Sequence, residues 1–118
     1  MLNDLERKPP SVPVTPVPAA TVMVLRDTPS GIEVLMVQRT KKADFAGGAL
    51  LFPGGKVDED DHHLLASKLC DLSETIDNDL RALRIAGARE IFEEAGLLFA
   101  RDAKSGKLID NVRAQGIN

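Results

Sequence analysis

Apolar and polar positions along the chain predict short strands first and one long helix afterwards. Residues 19–26 are apolar and rich in β-branched side chains, residues 27–31 have the composition of a turn, and residues 32–39 are again largely apolar. We therefore expect a strand, a turn and a second strand. A short apolar run at residues 49–52 leads to Pro53-Gly54-Gly55. Two adjacent glycines allow a positive φ or a close approach to a ligand, so we expect a tight turn there.

A helical pattern follows later and runs from Leu83 to Ala95. Asn78 or Asp79 is suited to cap its N-terminus, and Gly96 is suited to end it. Because positions i, i+3 and i+4 share one side of a helix, the pattern separates an apolar face from an acidic face. The apolar face contains Ile85, Ala88, Ile91, Phe92 and Ala95. The acidic face contains Glu90, Glu93 and Glu94.

The acidic face has two interpretations. Like charges at this spacing repel each other by about 0.2–0.5 kcal/mol per pair. A bound divalent cation would turn that repulsion into attraction, and the three glutamates would then be metal ligands. The alternative is a solvated acidic surface, on which Arg89 pairs with Glu93 one turn along the helix. The helix by itself does not decide between the two.

The segment between the glycines and the helix is rich in acids. Residues 58–61 form an acidic run, which is typical of a helix N-terminus and is also compatible with a metal site. The apolar period after it predicts a short helix to about Leu72. His62 and His63 do not suggest zinc, because adjacent helical positions point about 100° apart and no further ligand lies at the required spacing.

Composition limits the class of protein. A chain of 118 residues with 43% hydrophobic content is suited to one soluble domain, which we place at residues 19–118 after a proline-rich flexible arm at residues 1–18. The net charge of -3 gives no reason to expect a nucleic-acid polymer or a membrane surface as partner. No apolar run approaches the length of a membrane span. Cys70 is the single cysteine and has no disulfide partner within the chain, so we expect a packing role and a cytoplasmic location.

Residues 89–97 then add a motif. All nine positions match the second half of the Nudix box, R-E-U-x-E-E-x-G-U with U apolar, and Pro53-Gly54-Gly55 stands where that box begins. The chain therefore resembles the Nudix hydrolases. The resemblance implies an α/β/α sandwich around a mixed sheet, and hydrolysis of a diphosphate linkage in a small molecule with Mg²⁺ or Mn²⁺.

The resemblance also implies roles for individual residues. Glu90, Glu93 and Glu94 would bind the metal, together with the backbone carbonyl of Gly55. Glu90 or Glu93 would activate water, and Arg89 would orient the carboxylates. Substrate phosphates would meet Gly54 and the basic residues Arg39, Lys41 and Lys42, although a solvated basic loop is an alternative for the last three.

The first half of the box departs from the family pattern by an insertion at about residues 61–80. Two alignments remain open for the glutamate that normally pairs with the box arginine: one places Asp61 there and the other places Arg81. An insertion at this point resembles the branch that includes diphosphatases of coenzyme A and acyl-coenzyme A.

The resemblance covers residues 19–101 or so, whereas a Nudix domain continues with further strands and a second helix. We therefore expect a sandwich that is incomplete at the C-terminus, from a truncated or split gene product. Such a chain would be unstable or would pair with another chain, a homodimer included. The alternative to an enzyme is a catalytically inactive fragment or interaction module.

Overall fold

Six short strands, one 3₁₀ turn and one long helix form the described part of the computed structural model, which comprises residues 12–40, 47–63, 68, 70 and 76–109. The predicted α/β class is confirmed. The strands are β1 (Ala19–Thr21), β2 (Leu25–Thr28), β3 (Gly31–Val34), β4 (Val37–Gln38), β5 (Leu50–Leu51) and β6 (Gly54–Lys56). The 3₁₀ turn is Glu59–His62, and the helix, α1, is Asn78–Ala95.

The strands pair in three antiparallel ladders, β1 with β6, β2 with β3 and β4 with β5. Ala20 lies opposite Gly55, and Val37 lies opposite Leu51. Further backbone hydrogen bonds extend the first ladder at both ends, because the Val22 N–H donates to the Pro53 carbonyl and the Val57 N–H donates to the Pro18 carbonyl. The chain thus places the glycines of β6 beside the first strand.

The expected strand, turn and strand are present, but their boundaries differ. The predicted strand at residues 19–26 divides into β1 and the start of β2, which belong to different ladders. β2 and β3 form a hairpin in which Thr28 pairs with Gly31, so Pro29 and Ser30 make the turn. The Thr28 hydroxyl donates to the Gly31 carbonyl, and Gly31 takes a φ of 123° that disfavours a side chain.

Gly54 and Gly55 do not form the tight turn that the sequence predicts. Both lie in β6 and pair with β1, and neither has a positive φ. Because these glycines lack a Cβ, neighbouring atoms lie close to their backbone. A Cβ at Gly54 would overlap the Ala20 carbonyl, and a Cβ at Gly55 would overlap the carboxylate of Glu90. The prediction of a turn was wrong; the close approach seen here is that of neighbouring protein atoms, and the approach of a ligand stays a prediction.

Helix α1 begins earlier than predicted. Its N-cap is Asp77, whose carboxylate accepts a hydrogen bond of 2.8 Å from the Leu80 N–H. Neither Asn78 nor Asp79 is the cap, because both already lie within the helix. Gly96 ends the helix as expected, in the left-handed conformation with φ 68°.

The buried face of α1 is built from small residues. It contains Ala82, Ala86, Gly87 and Ile91. A Cβ at Gly87 would stand 2.9 Å from a methyl group of Val22, so this glycine sets how closely the helix approaches the strands. Of the predicted apolar face only Ile91 is fully buried, because the helix turns its smallest residues toward β1 and β6. This orientation brings Glu90 to the edge of the strand layer.

Parts of the prediction fall outside the described residues. Residues 1–11 of the expected arm are among them, and residues 12–18 are exposed without helix or strand. The expected short helix after His62 is also largely outside, since only residues 68 and 70 of its later part are described. Within the residues given above, no helix combines the length and apolar content needed to cross a membrane.

Several apolar side chains in and between the strands are exposed. A groove of about 660 Å³ runs between residues 19–25 and helix α1, with Leu83, Ile91 and Phe99 among its walls. Met23, Leu25 and Ile32 are each more than half exposed. The fold therefore leaves apolar surface uncovered among the described residues.

Candidate active site

Arg89 is the centre of the candidate site. It lies on helix α1 where the helix passes over the end of β6 and the 3₁₀ turn. Its Nε and Nη2 atoms donate to the two carboxylate oxygens of Asp61, at 3.1 and 3.0 Å. Nη2 also donates to the Lys56 carbonyl at 3.0 Å. A guanidinium that binds one carboxylate through two parallel bonds is fixed in both position and orientation.

The other side of the guanidinium faces the acidic residues of the helix. Nη1 of Arg89 donates to Glu90 Oε1 at 2.9 Å and to Glu93 Oε2 at 3.3 Å. The pair with Glu93 is the i,i+4 contact expected from the sequence. Arg89 thus joins β6, the 3₁₀ turn and the helix, and it holds two of the three candidate glutamates.

Asp61 is the candidate that pairs with Arg89. Its side chain is 3% exposed and accepts a hydrogen bond of 2.8 Å from the Asp58 N–H, in addition to both bonds from Arg89. Arg81, the residue of the other alignment, lies elsewhere on the helix and donates to Asn78 at 3.2 Å. The structure therefore decides between the two alignments that the sequence left open.

Charge and burial shift the pKa of Asp61 in opposite directions. Burial raises the pKa of its carboxyl, but the hydrogen bonds from Arg89 and from the Asp58 backbone outweigh burial and hold the pKa below its usual value. The hydrogen bond to Asp61, with a further contribution from Glu90, raises the pKa of Arg89. Both partners are therefore charged across the neutral pH range, and their attraction contributes to stability there.

The three glutamates occupy different environments. Glu90 is largely enclosed, with its carboxylate against the Cα of Gly55 and in contact with Arg89. The Glu93 side chain is 55% exposed although it contacts Arg89. Glu94 is exposed and lines a second groove that also includes Gly54 and Arg39. The helix thus presents one anchored carboxylate and two that face solvent.

The fit of a metal ion follows from this donor set. Among the described residues, no group of three or more acidic, histidine or cysteine side chains is placed closely enough to hold a metal ion. Mg²⁺ does not need such a cage, since it binds through one or two carboxylates and keeps several waters. Glu90 beside the glycine backbone and the exposed Glu93 and Glu94 offer the hard oxygen donors that Mg²⁺ prefers. The chemistry of the residues fits the ion, and the predicted ligand set stays a prediction.

Other candidates from the sequence lie away from this centre. Arg39 borders the second groove just after β4, whereas Lys41 and Lys42 lie outside the described residues. Cys70 is partly buried, and burial raises the pKa of its thiol, which agrees with a packing role. The acidic run at residues 58–61 supplies the N-cap, Asp58, and the first three residues of the 3₁₀ turn, so its role in capping is supported.

Alanine at the two glycines should have unequal effects on stability. Gly54→Ala places a methyl group on the Ala20 backbone, which can only yield if the ladder moves, and we expect a loss of about 1–3 kcal/mol in the free energy of unfolding. Gly55→Ala meets only the end of the flexible Glu90 side chain, so we expect less than about 1 kcal/mol and a displaced carboxylate. Urea denaturation of both variants measures the difference, and equal losses would contradict it.

Comparison with known proteins gives one strong similarity. The crystal structure of a Nudix hydrolase from Alicyclobacillus acidocaldarius matches this chain with a TM-score of 0.68 and 31% sequence identity. The match covers 90% of this chain and 52% of the other, so this chain spans about half the length of that protein. No family model matches the chain, and neither does any curated protein. The chain therefore has the Nudix fold over the part that matches.

Proposed function

We propose that this chain carries the catalytic helix of a Nudix-type hydrolase, which cleaves a diphosphate linkage in a nucleoside-diphosphate derivative with Mg²⁺ or Mn²⁺. The observation that supports the proposal most directly is the Arg89 network. It fixes the E-x-x-E-E turn of the helix over Gly55 and does so through Asp61, despite the insertion. A solvated acidic face would not require a nearly buried Asp61 or a glycine beneath Glu90.

The residues have separate roles in this proposal. When bound, a metal ion would be held by Glu90, Glu93 and Glu94 with the Gly55 carbonyl, and it would neutralise charge on the diphosphate. Arg89 orients Glu90 and Glu93 through the bonds described above. Water attacks one phosphorus in line with the bridging oxygen, the bond from phosphorus to that oxygen breaks, and a glutamate accepts the water proton. We assign the proton to Glu93, because its carboxylate is open to solvent whereas that of Glu90 is enclosed.

Two groups of compounds are candidate substrates. The insertion between Gly55 and Arg89 resembles that of coenzyme A and acyl-coenzyme A diphosphatases, so coenzyme A and its acyl thioesters are the first compounds to test. Nucleotide sugars and ADP-ribose contain the same linkage and form the comparison set. The neutral pH range suits the site, since Asp61 and Arg89 are both charged there.

An interaction module without catalytic activity is the second candidate. The uncovered apolar groove between β1 and helix α1 favours it, because contiguous exposed apolar surface marks contact with another polypeptide. Both candidates place the same helix on the same strands, and they differ in whether the carboxylates carry out chemistry.

Metal dependence distinguishes the two candidates. The purified chain is incubated with each substrate and Mg²⁺, and phosphorylated products are followed by anion-exchange chromatography. We expect product from at least one nucleoside-diphosphate derivative, no product in excess EDTA, and recovery when Mg²⁺ or Mn²⁺ is restored. Absence of product from every substrate with either metal, in protein that is folded by circular dichroism, would favour the interaction module.

A further inference from the structure

The segment directly before β1 is apolar and exposed. Residues 12–18 have the sequence Val-Pro-Val-Thr-Pro-Val-Pro, which contains no charged side chain, and they form neither helix nor strand. The three valines, at positions 12, 14 and 17, are each more than half exposed. We call residues 12–18 the valine arm. Because its prolines restrict the backbone to extended conformations, the arm loses little conformational entropy when it binds to a surface.

The groove between residues 19–25 and helix α1 has the matching chemistry. Leu83, Ile91 and Phe99 are among its walls, and Arg84 is the only charged residue among the described residues that line it. Its length also suits the arm. The seven residues 19–25 span at most about 23 Å as extended chain, and seven residues of a proline-rich arm span about 22 Å. The groove is therefore an apolar surface of about the length that the arm requires.

The arm does not lie in the groove of its own chain. None of residues 12–18 lines that groove. The Pro18 carbonyl accepts a hydrogen bond from the Val57 N–H, which continues the ladder of β1 with β6 and directs the arm away from residues 19–25. To enter its own groove, the chain would have to reverse at Pro18, where the ring fixes φ. The arm and the groove are thus complementary, but they are separated within one molecule.

We propose that two copies of this chain exchange their valine arms, so that the arm of each copy binds in the groove of the other. A two-fold axis near the junction of residues 18 and 19 sets residues 12–18 of one copy antiparallel to residues 19–25 of the other. Val14 then lies beside Met23 of the second copy, and Val12 lies beside its Leu25. All four side chains are more than half exposed in the single chain.

The exchange is reciprocal, and this closes the assembly at two copies. Each copy donates one arm and receives one, so the same surface is used on both sides of the axis and no further copy is added. Stable interfaces bury about 800 Å² on each partner, which favours two arm contacts over a single short one. The dimer goes beyond the proposed function and does not depend on hydrolysis.

Sedimentation velocity of the full-length chain over a range of concentrations tests the exchange. We expect a monomer–dimer equilibrium in the wild type. Val14→Asp should weaken association at least about 10-fold, because a carboxylate in an apolar groove loses its hydration without gaining a partner. Val14 is 77% exposed, so the variant should keep the wild-type circular dichroism spectrum.

Ile32→Asp is the matched control for this variant. Ile32 is an exposed apolar residue of β3 that does not line the groove, and its replacement should leave the dimer unchanged. A wild type that stays monomeric at every concentration would overturn the proposal, even if the groove bound another protein. A Val14→Asp variant that dimerises as the wild type does would overturn it as well.

Disulfide formation between single-cysteine variants tests the antiparallel arrangement. Both variants carry Cys70→Ser, which removes the native thiol. A mixture of Val14→Cys and Met23→Cys chains should form a linked heterodimer under mild oxidation, because a disulfide requires Cα atoms within about 7 Å. Val14→Cys mixed with Ile32→Cys should form none. Val14→Cys alone should also form none, since positions 14 and 23 are about 30 Å apart along an extended chain. A link in Val14→Cys alone, or none between positions 14 and 23, would overturn the arrangement.

The dimer and the catalytic activity are measured separately, so the two proposals fail in different ways. A chain that dimerises through its arm but hydrolyses no diphosphate would overturn the catalytic proposal alone. A monomeric chain that hydrolyses a diphosphate would overturn the arm exchange alone.

Discussion

Glu93→Gln should lower the rate of Mg²⁺-dependent hydrolysis by about 10²–10⁴-fold, the range expected for loss of a positioned proton acceptor. The amide keeps the size of the side chain but neither accepts a proton from water nor carries a negative charge to a metal ion. The fold should be unaffected, because the side chain is 55% exposed and its contact with Arg89, at 3.3 Å, is the longest of that residue's hydrogen bonds to a side chain. The measurement is kcat and kcat/KM under saturating Mg²⁺, with the melting temperature recorded in parallel.

Glu33→Gln is the matched control for this variant. Glu33 is also a half-exposed glutamate in contact with an arginine, since its carboxylate lies 2.6 Å from Arg26 in the β2–β3 hairpin. It lies on strand β3 and not on helix α1. We expect its hydrolysis rate to equal that of the wild type. A Glu93→Gln variant with wild-type activity would remove Glu93 from the mechanism, and a similar loss in Glu33→Gln would indicate a general effect of surface charge.

The helix was the most predictable element of the molecule. Its signals are local, because the 3.6-residue period and Gly96 as a terminator both lie within residues 83–97. The cap of the helix was placed at Asn78 or Asp79, whereas the observed cap, Asp77, lies one residue before the first and two before the second. Several acids and amides in a row are all able to cap, and only the packing of the helix on the strands selects Asp77.

The strands were harder to place than the helix. Residues 19–26 are predominantly apolar, yet the chain changes ladders within them, and no local pattern marks that change. The local sequence also does not determine the conformation of the glycines in β6. Glycine is compatible with a turn and with a crowded strand, and its neighbours in space, Ala20 and Glu90, are distant in sequence. Contacts of this kind are decided by tertiary packing and not by propensity.

The role of Asp61 shows how far sequence reasoning extends into the site. The motif indicates that Arg89 needs an acidic partner, and the insertion leaves two alignments for it. The insertion separates residues 61 and 89 in the sequence, and only the fold brings them together.

Asp61→Asn should cost stability more than any other single exchange at this site. Arg89 would lose the carboxylate that it contacts through two hydrogen bonds in a part-buried position. Removal of one partner of a buried ion pair costs about 3–5 kcal/mol. A single domain is stable by about 5–15 kcal/mol in total. We therefore expect the melting temperature to fall by more than about 10 °C. The hydrolysis rate should fall as well, because Glu90 and Glu93 are oriented through Arg89.

Asp58→Asn separates this effect from surface electrostatics. Asp58 also approaches Arg89, at 3.5 Å, but its side chain is 65% exposed, so the loss of stability should stay within about 0–1 kcal/mol.

Acid titration of wild type and Asp61→Asn gives a further test. The folded protein holds the pKa of Asp61 below its usual value of 3.8, so the contribution of the pair is complete above that pH and declines as the pH falls through the folded pKa. The difference in stability between wild type and Asp61→Asn should therefore be constant near neutrality and shrink in acid. A difference that is as small as that of Asp58→Asn, or that does not change in acid, would mean that Asp61 is not the residue that fixes Arg89.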